Sequence, residues 1–130
     1  MKLSEFEASL LKLGPNFKKS AIPASGDSIN LEIDDVDFTV VASNANVDRV
    51  TVCCLFGPIP ADHMSDVLRG IVKQNLELMR QQSNAGFGVN DGDLIYAFST
   101  DVTNQPEIVQ AVGRIMRSAA SQALNWQASL

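Results

Sequence analysis

Residues 84 to 98, NAGFGVNDGDLIYAF, set Gly86, Gly88 and Gly92 among Asn90, Asp91 and Asp93. These are the residue types from which phosphate cradles and cation-binding loops are built. A dinucleotide fingerprint needs Gly-x-Gly-x-x-Gly between a strand and a helix. Here Gly92 lies one residue too far from Gly88, and a β-rich run follows instead of a helix. The chain has no Gly-Lys-Ser or Gly-Lys-Thr, so the Walker pattern is absent. A calcium loop with its glycine at Gly92 would start at Phe87, which carries no oxygen ligand. What the spacing predicts is a hairpin turn at Asn90-Asp91-Gly92-Asp93, with alternating apolar residues on both sides.

The remaining candidates for chemistry are few. His63 is the one histidine and stands beside Asp62 near the start of a helix. A structural zinc site needs about four ligands, so His63 reads as a surface or capping residue. Cys53 and Cys54 are adjacent, and neighbours in a strand point to opposite faces, which disfavours a disulfide between them. They read as small core residues of a reducing compartment, and burial in a strand would suppress a thiolate at Cys53. Asp34, Asp35 and Asp37 could face a hard cation but fit a charged turn between strands as well. The expectation is a protein with no catalytic residues, no metal and no cofactor.

Composition bounds the partners. Fifteen acids against ten bases give a net charge of −5. Nucleic-acid binding draws on Lys and Arg at phosphates, so this balance argues against it. No base occurs between Ser20 and Asp48, where Asp27, Glu32, Asp34, Asp35, Asp37 and Asp48 all fall. That run is a solvated face or a docking surface for a basic segment. No stretch approaches the ~20 apolar residues of a membrane span, and the start of the chain has no signal-type apolar run. A single domain spanning residues 1–130, cytoplasmic, is the expectation.

The elements follow from periodicity. LSEFEASLLKLG predicts a helix over about 4–13, with Ser4 and Glu7 at capping-box spacing and Gly14-Pro15 as its stop. Residues 14–28 read as a loop. INLEID and VDFTVVA alternate as strands, SNAN turns, and VDRVTVCCLF returns. A second helix is expected over 62–82, with an apolar stripe interrupted by Asn75, then the hairpin, then a last helix with Pro106 in its first turn. The fold class is α+β, in the order α-β-β-β-α-β-β-α, with a mostly antiparallel five-stranded sheet. The second helix has a broad apolar stripe and the third and fifth strands are apolar on both faces, so the second face of the sheet needs cover as well, which predicts a homodimer, a binding groove or both.

This layout resembles the class I type III secretion chaperones, the Tir-chaperone (CesT-like) family. The resemblance spans nearly the whole chain. It runs through LEIDDVDF at the first hairpin, LFGPIPAD before the second helix, VKQNLEL within it, GFGVNDGDLIYAF, and a last helix ending ALNW. Leu55, Gly57, Pro60 and Asn75 stand where that family has Leu-x-Gly-x-x-Pro and a helical Asn. The start of the second helix is poorer in leucine than usual, and the C-terminal tail is short.

The resemblance implies a homodimer that binds the N-terminal chaperone-binding segment of a secreted effector and keeps it export-competent, with the secretion ATPase as a further partner. It implies a groove on the first helix and the sheet face, for which Phe6, Leu10, Ile29, Leu31, Phe38 and Val40 are the candidates. These six fit a core face equally well on periodicity alone. Met64, Leu68, Ile71, Asn75 and Phe87 are the candidates for the dimer interface, with the same ambiguity. Two other readings stay open. One is a regulatory or adaptor module of YbjN type, since a fold does not fix a function. The other is a small-molecule pocket, which would need convergent polar groups in a cleft.

Overall fold

The structure is a computed structural model and describes residues 1–22, 27–42, 47–103 and 105–130. The first helix, α1, is Leu3–Leu11, and it buries Phe6 and Leu10, one turn apart. Its N-cap is Lys2, without a side-chain hydrogen bond. The capping box expected from Ser4 and Glu7 therefore does not form, because Ser4 already lies inside the first turn.

After Gly14 and Pro15 the chain forms a short strand, β1, Phe17–Lys19. It lies in the stretch expected to be all loop, and makes six strands where five were expected. Three residues are too few to show alternation; β1 exists because β2, Ser28–Ile33, offers it an edge, pairing Phe17 with Ile33 and Lys19 with Leu31. β2 turns directly into β3, Val36–Ala42, through Asp34 and Asp35, whose φ values of 52° and 65° are those of a primed hairpin turn. The SNAN turn falls outside the described residues. β4, Arg49–Pro58, completes the expected meander.

A 3-10 turn at Ala61–His63 leads into α2, Met64–Arg80, with His63 at its N-cap. β5, Ala85–Asn90, and β6, Asp93–Asp101, form the hairpin that the sequence predicts, with Asp91 and Gly92 both at positive φ in the turn. α3, Pro106–Ala128, has its proline in the first turn as expected. The sheet order is β1-β2-β3-β4-β6-β5, antiparallel throughout.

One face of this sheet makes the core. β2 and β3 bury every second residue, and α1 and α3 close over that face. α3 contributes Val109, Val112, Met116, Ala119, Ala120 and Ala123. Gly113 lets the chain after α1 come close, since a Cβ there would collide with Leu13 Cδ1. On the other face, Thr39 Oγ1 donates to Asn30 Oδ1 at 2.8 Å, and the Thr51 and Ser99 hydroxyls lie 2.9 Å apart. That face is wet, with Leu55 and Val41 its exposed apolar side chains.

The six groove candidates belong to the core. Phe6, Leu10, Leu31 and Val40 have no accessible surface, Phe38 has 1% and Ile29 has 5%. Apolar alternation marks a face as dry without saying what dries it, and here α1 and α3 do. Phe38→Ala is therefore expected to cost about 3–5 kcal/mol, as for a buried phenylalanine truncation. Urea unfolding checks this; a loss below about 1 kcal/mol would mean that Phe38 is not packed as described.

Candidate functional site

α2 is the element whose apolar face the rest of the chain leaves uncovered. It has an apolar arc about half a turn wide, yet none of its residues is buried. Met64, Val67, Ile71, Asn75 and Leu78 are half-buried along the inner part of that arc. Leu68, Val72, Leu76 and Met79 form the outer part and are 46–71% exposed. Helices of soluble domains turn such a stripe inward; this one turns half of it to solvent.

The cause is where α2 is anchored. The Asn75 side-chain amide donates to the Phe87 carbonyl oxygen at 3.0 Å, and the Phe87 N–H donates to Asn75 Oδ1 at 2.8 Å. β5 is the last strand of the sheet, so Asn75 satisfies outward-facing main-chain groups of an edge, much as a neighbouring strand would. The helix consequently lies along β5 and does not cover the sheet.

Between α2, α3 and the floor formed by β4 and β6 an open cleft of about 540 Å³ remains. Its walls are Phe56, Phe87, Leu94, Tyr96 and Trp126, with Val67 and Ile71 from α2 and Lys73 and Gln74 at the rim. Phe56 and Phe87 meet edge to face at 5.6 Å, Phe87 and Tyr96 lie 4.9 Å apart, and Phe56 and Trp126 lie 6.2 Å apart. Gly57, at φ 125°, follows Phe56 at a bulge opposite β6, and Gln127 Nε2 donates to the Phe56 carbonyl at 2.5 Å. Phe56 is buried, and its ring forms part of the cleft lining.

The polar side chains lining the cleft are Tyr96, Lys73, Gln74 and Gln122. Burial raises the Tyr96 phenol above its usual value, with Cys54 adding to the effect. Cys54 is pushed up to about 12 by burial and then by Cys53, and burial also raises Cys53. Both remain thiols at neutral pH, and both are free. Among the described residues no cluster of three or more His, Cys, Asp or Glu could hold a metal ion. His63 is half exposed, 3.9 Å from Asp62. No helix among the described residues is long and apolar enough to cross a membrane.

Of the dimer candidates, Met64, Ile71 and Asn75 lie on the inner arc of α2, Leu68 lies on the outer arc, and Phe87 sits under the helix on β5. They form one surface region, whereas the groove candidates form one patch of the core, with Ile29 opposite Val40 and Leu31 opposite Phe38. Sequence reasoning missed the cleft itself, including Phe56, Tyr96 and Trp126. Its signal was compositional: five of the eight aromatic side chains, Phe56, Phe87, Tyr96, Phe98 and Trp126, are linked by ring contacts here.

No family model matches the chain, and no curated protein sequence matches it. Its fold is similar to that of a chain in the HopA1-SchA chaperone-effector complex. The TM-score is 0.59 at 19% identity, over 95% of this chain and 88% of that one. At that identity the likeness is one of fold: three helices on an antiparallel sheet, in the same class as the sequence suggested.

Replacing Asn75 with Ala should leave the half-buried main chain of Phe87 unpaired and cost about 1–3 kcal/mol. Amide hydrogen exchange read by NMR should quicken at Phe87 above all. Unchanged protection there would mean that the amide does not hold the strand edge in solution.

Proposed function

We propose that the protein is a type III secretion chaperone that works as a cytoplasmic homodimer and holds the N-terminal segment of a secreted effector in an export-competent, largely extended form. The observation that carries this reading is the bare apolar arc of α2, 17 residues long and without a buried side chain. An exposed stripe of this kind is an interaction surface rather than an accident of folding. The likeness to a chain of a chaperone-effector complex, over 95% of the present chain, supports it, as do the motifs read from the sequence.

In this reading the outer arc, with Leu68, Val72, Leu76 and Met79, packs on the same arc of a second copy, as a two-fold axis requires. Met64, Ile71, Asn75 and Phe87 lie beside that contact and support it. The aromatic cleft takes an apolar anchor of the client, the role first given to the buried six. Strand addition by the client belongs at β1, because at β5 the Asn75 amide already occupies main-chain groups of the edge.

Two measurements test the proposal. Val72 is 59% and Leu76 is 50% exposed, so Val72→Asp with Leu76→Asp should keep the fold and give a monomer by light scattering. A wild-type monomer at micromolar concentration would count against the dimer. Affinity capture from native cells should retain an effector through its N-terminal segment alone. A clean homodimer that retains no effector would move the protein to the regulatory or adaptor class.

A further inference from the structure

α3 carries Gln110, Arg114 and Arg117 along one exposed stripe, where it passes the end of α1. The three side chains edge a crevice of about 240 Å³ whose floor is Leu13, Phe17 and Gly113. The Arg117 guanidinium lies over the Phe17 ring, 5.0 Å from its centroid. A Cβ on Gly14 would come within 2.9 Å of Arg117 Nη2, so the bare backbone there leaves the guanidinium room. Gly113 serves the floor similarly, leaving space for Leu13.

These two arginines line one crevice together, which sets them apart from the other bases that have no ion pair among the described residues. Acids outnumber bases fifteen to ten, yet among the described residues neither Arg114 nor Arg117 is in an ion pair. Lys19, Arg49 and Arg80 each have one, with Glu7, Asp101 and Glu77. A guanidinium stacked on an aromatic ring keeps its N–H edge free, and that edge matches a carboxylate in fork geometry. Arg114 also lines a neighbouring hollow with Tyr96 and Ile115, so cationic and apolar surfaces alternate along this side of α3.

We propose that this crevice binds an acidic-apolar peptide segment of a partner protein. A Glu or Asp carboxylate lies between Arg114 and Arg117, and an adjacent apolar side chain rests on Leu13 and Phe17. Charge complementarity selects this occupant. A basic segment would meet two cations that are in no ion pair among the described residues, whereas a carboxylate beside an apolar side chain matches both the guanidinium edges and the Leu13–Phe17 floor. The site is separate from the α2 arc and the aromatic cleft, and it stands whether or not the partner is a secreted protein.

The test uses the full chain and a dye-labelled peptide, Ser-Leu-Glu-Glu-Leu-Ser, followed by fluorescence anisotropy at low ionic strength. A matched peptide with Gln for Glu is the control. The Glu peptide should bind more tightly than the Gln peptide, by roughly fivefold for each guanidinium engaged, and the difference should shrink as salt is added. Arg114→Glu with Arg117→Glu should abolish the preference while the circular dichroism spectrum stays that of a folded protein. Arg114 makes no ion pair among the described residues, so Arg114→Gln keeps the test open if the double variant unfolds, and it should remove about half of the preference in logarithmic terms. A wild type that fails to distinguish the two peptides would overturn the proposal. So would an Arg114→Gln protein that binds the Glu peptide as the wild type does.

Discussion

The pair of hydrogen bonds between the Asn75 amide and the main chain of Phe87 sets where α2 lies, and the exposed architecture follows from that. An edge strand must have its outward N–H and C=O groups met by something, or it invites another chain to pair with it. Here a helix meets them through one side chain that donates from one atom and accepts at another, as an amide does. Leu or Met at this position would extend the stripe but leave Phe87 unsatisfied. An apolar stripe broken by an amide is thus a cost in hydrophobicity accepted for position, and the position is beside the sheet rather than upon it.

Because α2 is held at the edge, the core is left to α1 and α3. α3 is 23 residues long, enough at 1.5 Å per residue to cross the sheet. It does so on small residues, Gly113, Ala119, Ala120 and Ala123, which bring its axis close over β4. A close-packed helix covers a narrow strip. The face of β6 next to it keeps Tyr96 half-buried, and the cleft is the width that α3 does not reach and α2 does not fill.

This explains which parts of the molecule were legible in the sequence. Strands with one wet face could be read from Ile29-Asn30-Leu31-Glu32-Ile33, because alternation records a difference between two sides. The hairpin turn could be read from Asn90-Asp91-Gly92-Asp93, because left-handed backbone restricts residue type locally. β1 could not be read, since three residues carry no period and its stability comes from β2. Phe6, Leu10, Leu31 and Phe38 were legible as apolar and periodic, but not as core rather than groove. The same pattern serves a surface covered by α3 and one covered by another protein. The outer arc of α2 shows the ambiguity from the other side: Val72 has the spacing of a core residue and is 59% exposed. The cleft brings together Phe56, Tyr96 and Trp126 from three elements, and no local window contains that information.

The geometry of α2 also bears on how a dimer and a client could coexist. At 100° per residue, Val67, Ile71 and Leu78 point toward the cleft, while Leu68, Val72, Leu76 and Met79 occupy the adjoining outer quarter. A copy related by a two-fold axis that covers the outer quarter leaves the inner one, and with it the cleft, open. In the proposed assembly the helix is shared without competition, self-association on one side and an anchor of the client on the other. Self-association would then stiffen one wall of the cleft, because an edge helix tied to the sheet through Asn75 gains a second support along its length. A segment binding in that cleft loses less freedom when the wall is already fixed. Dimer and client are coupled in this arrangement through the rigidity of α2, with no need for a change of fold.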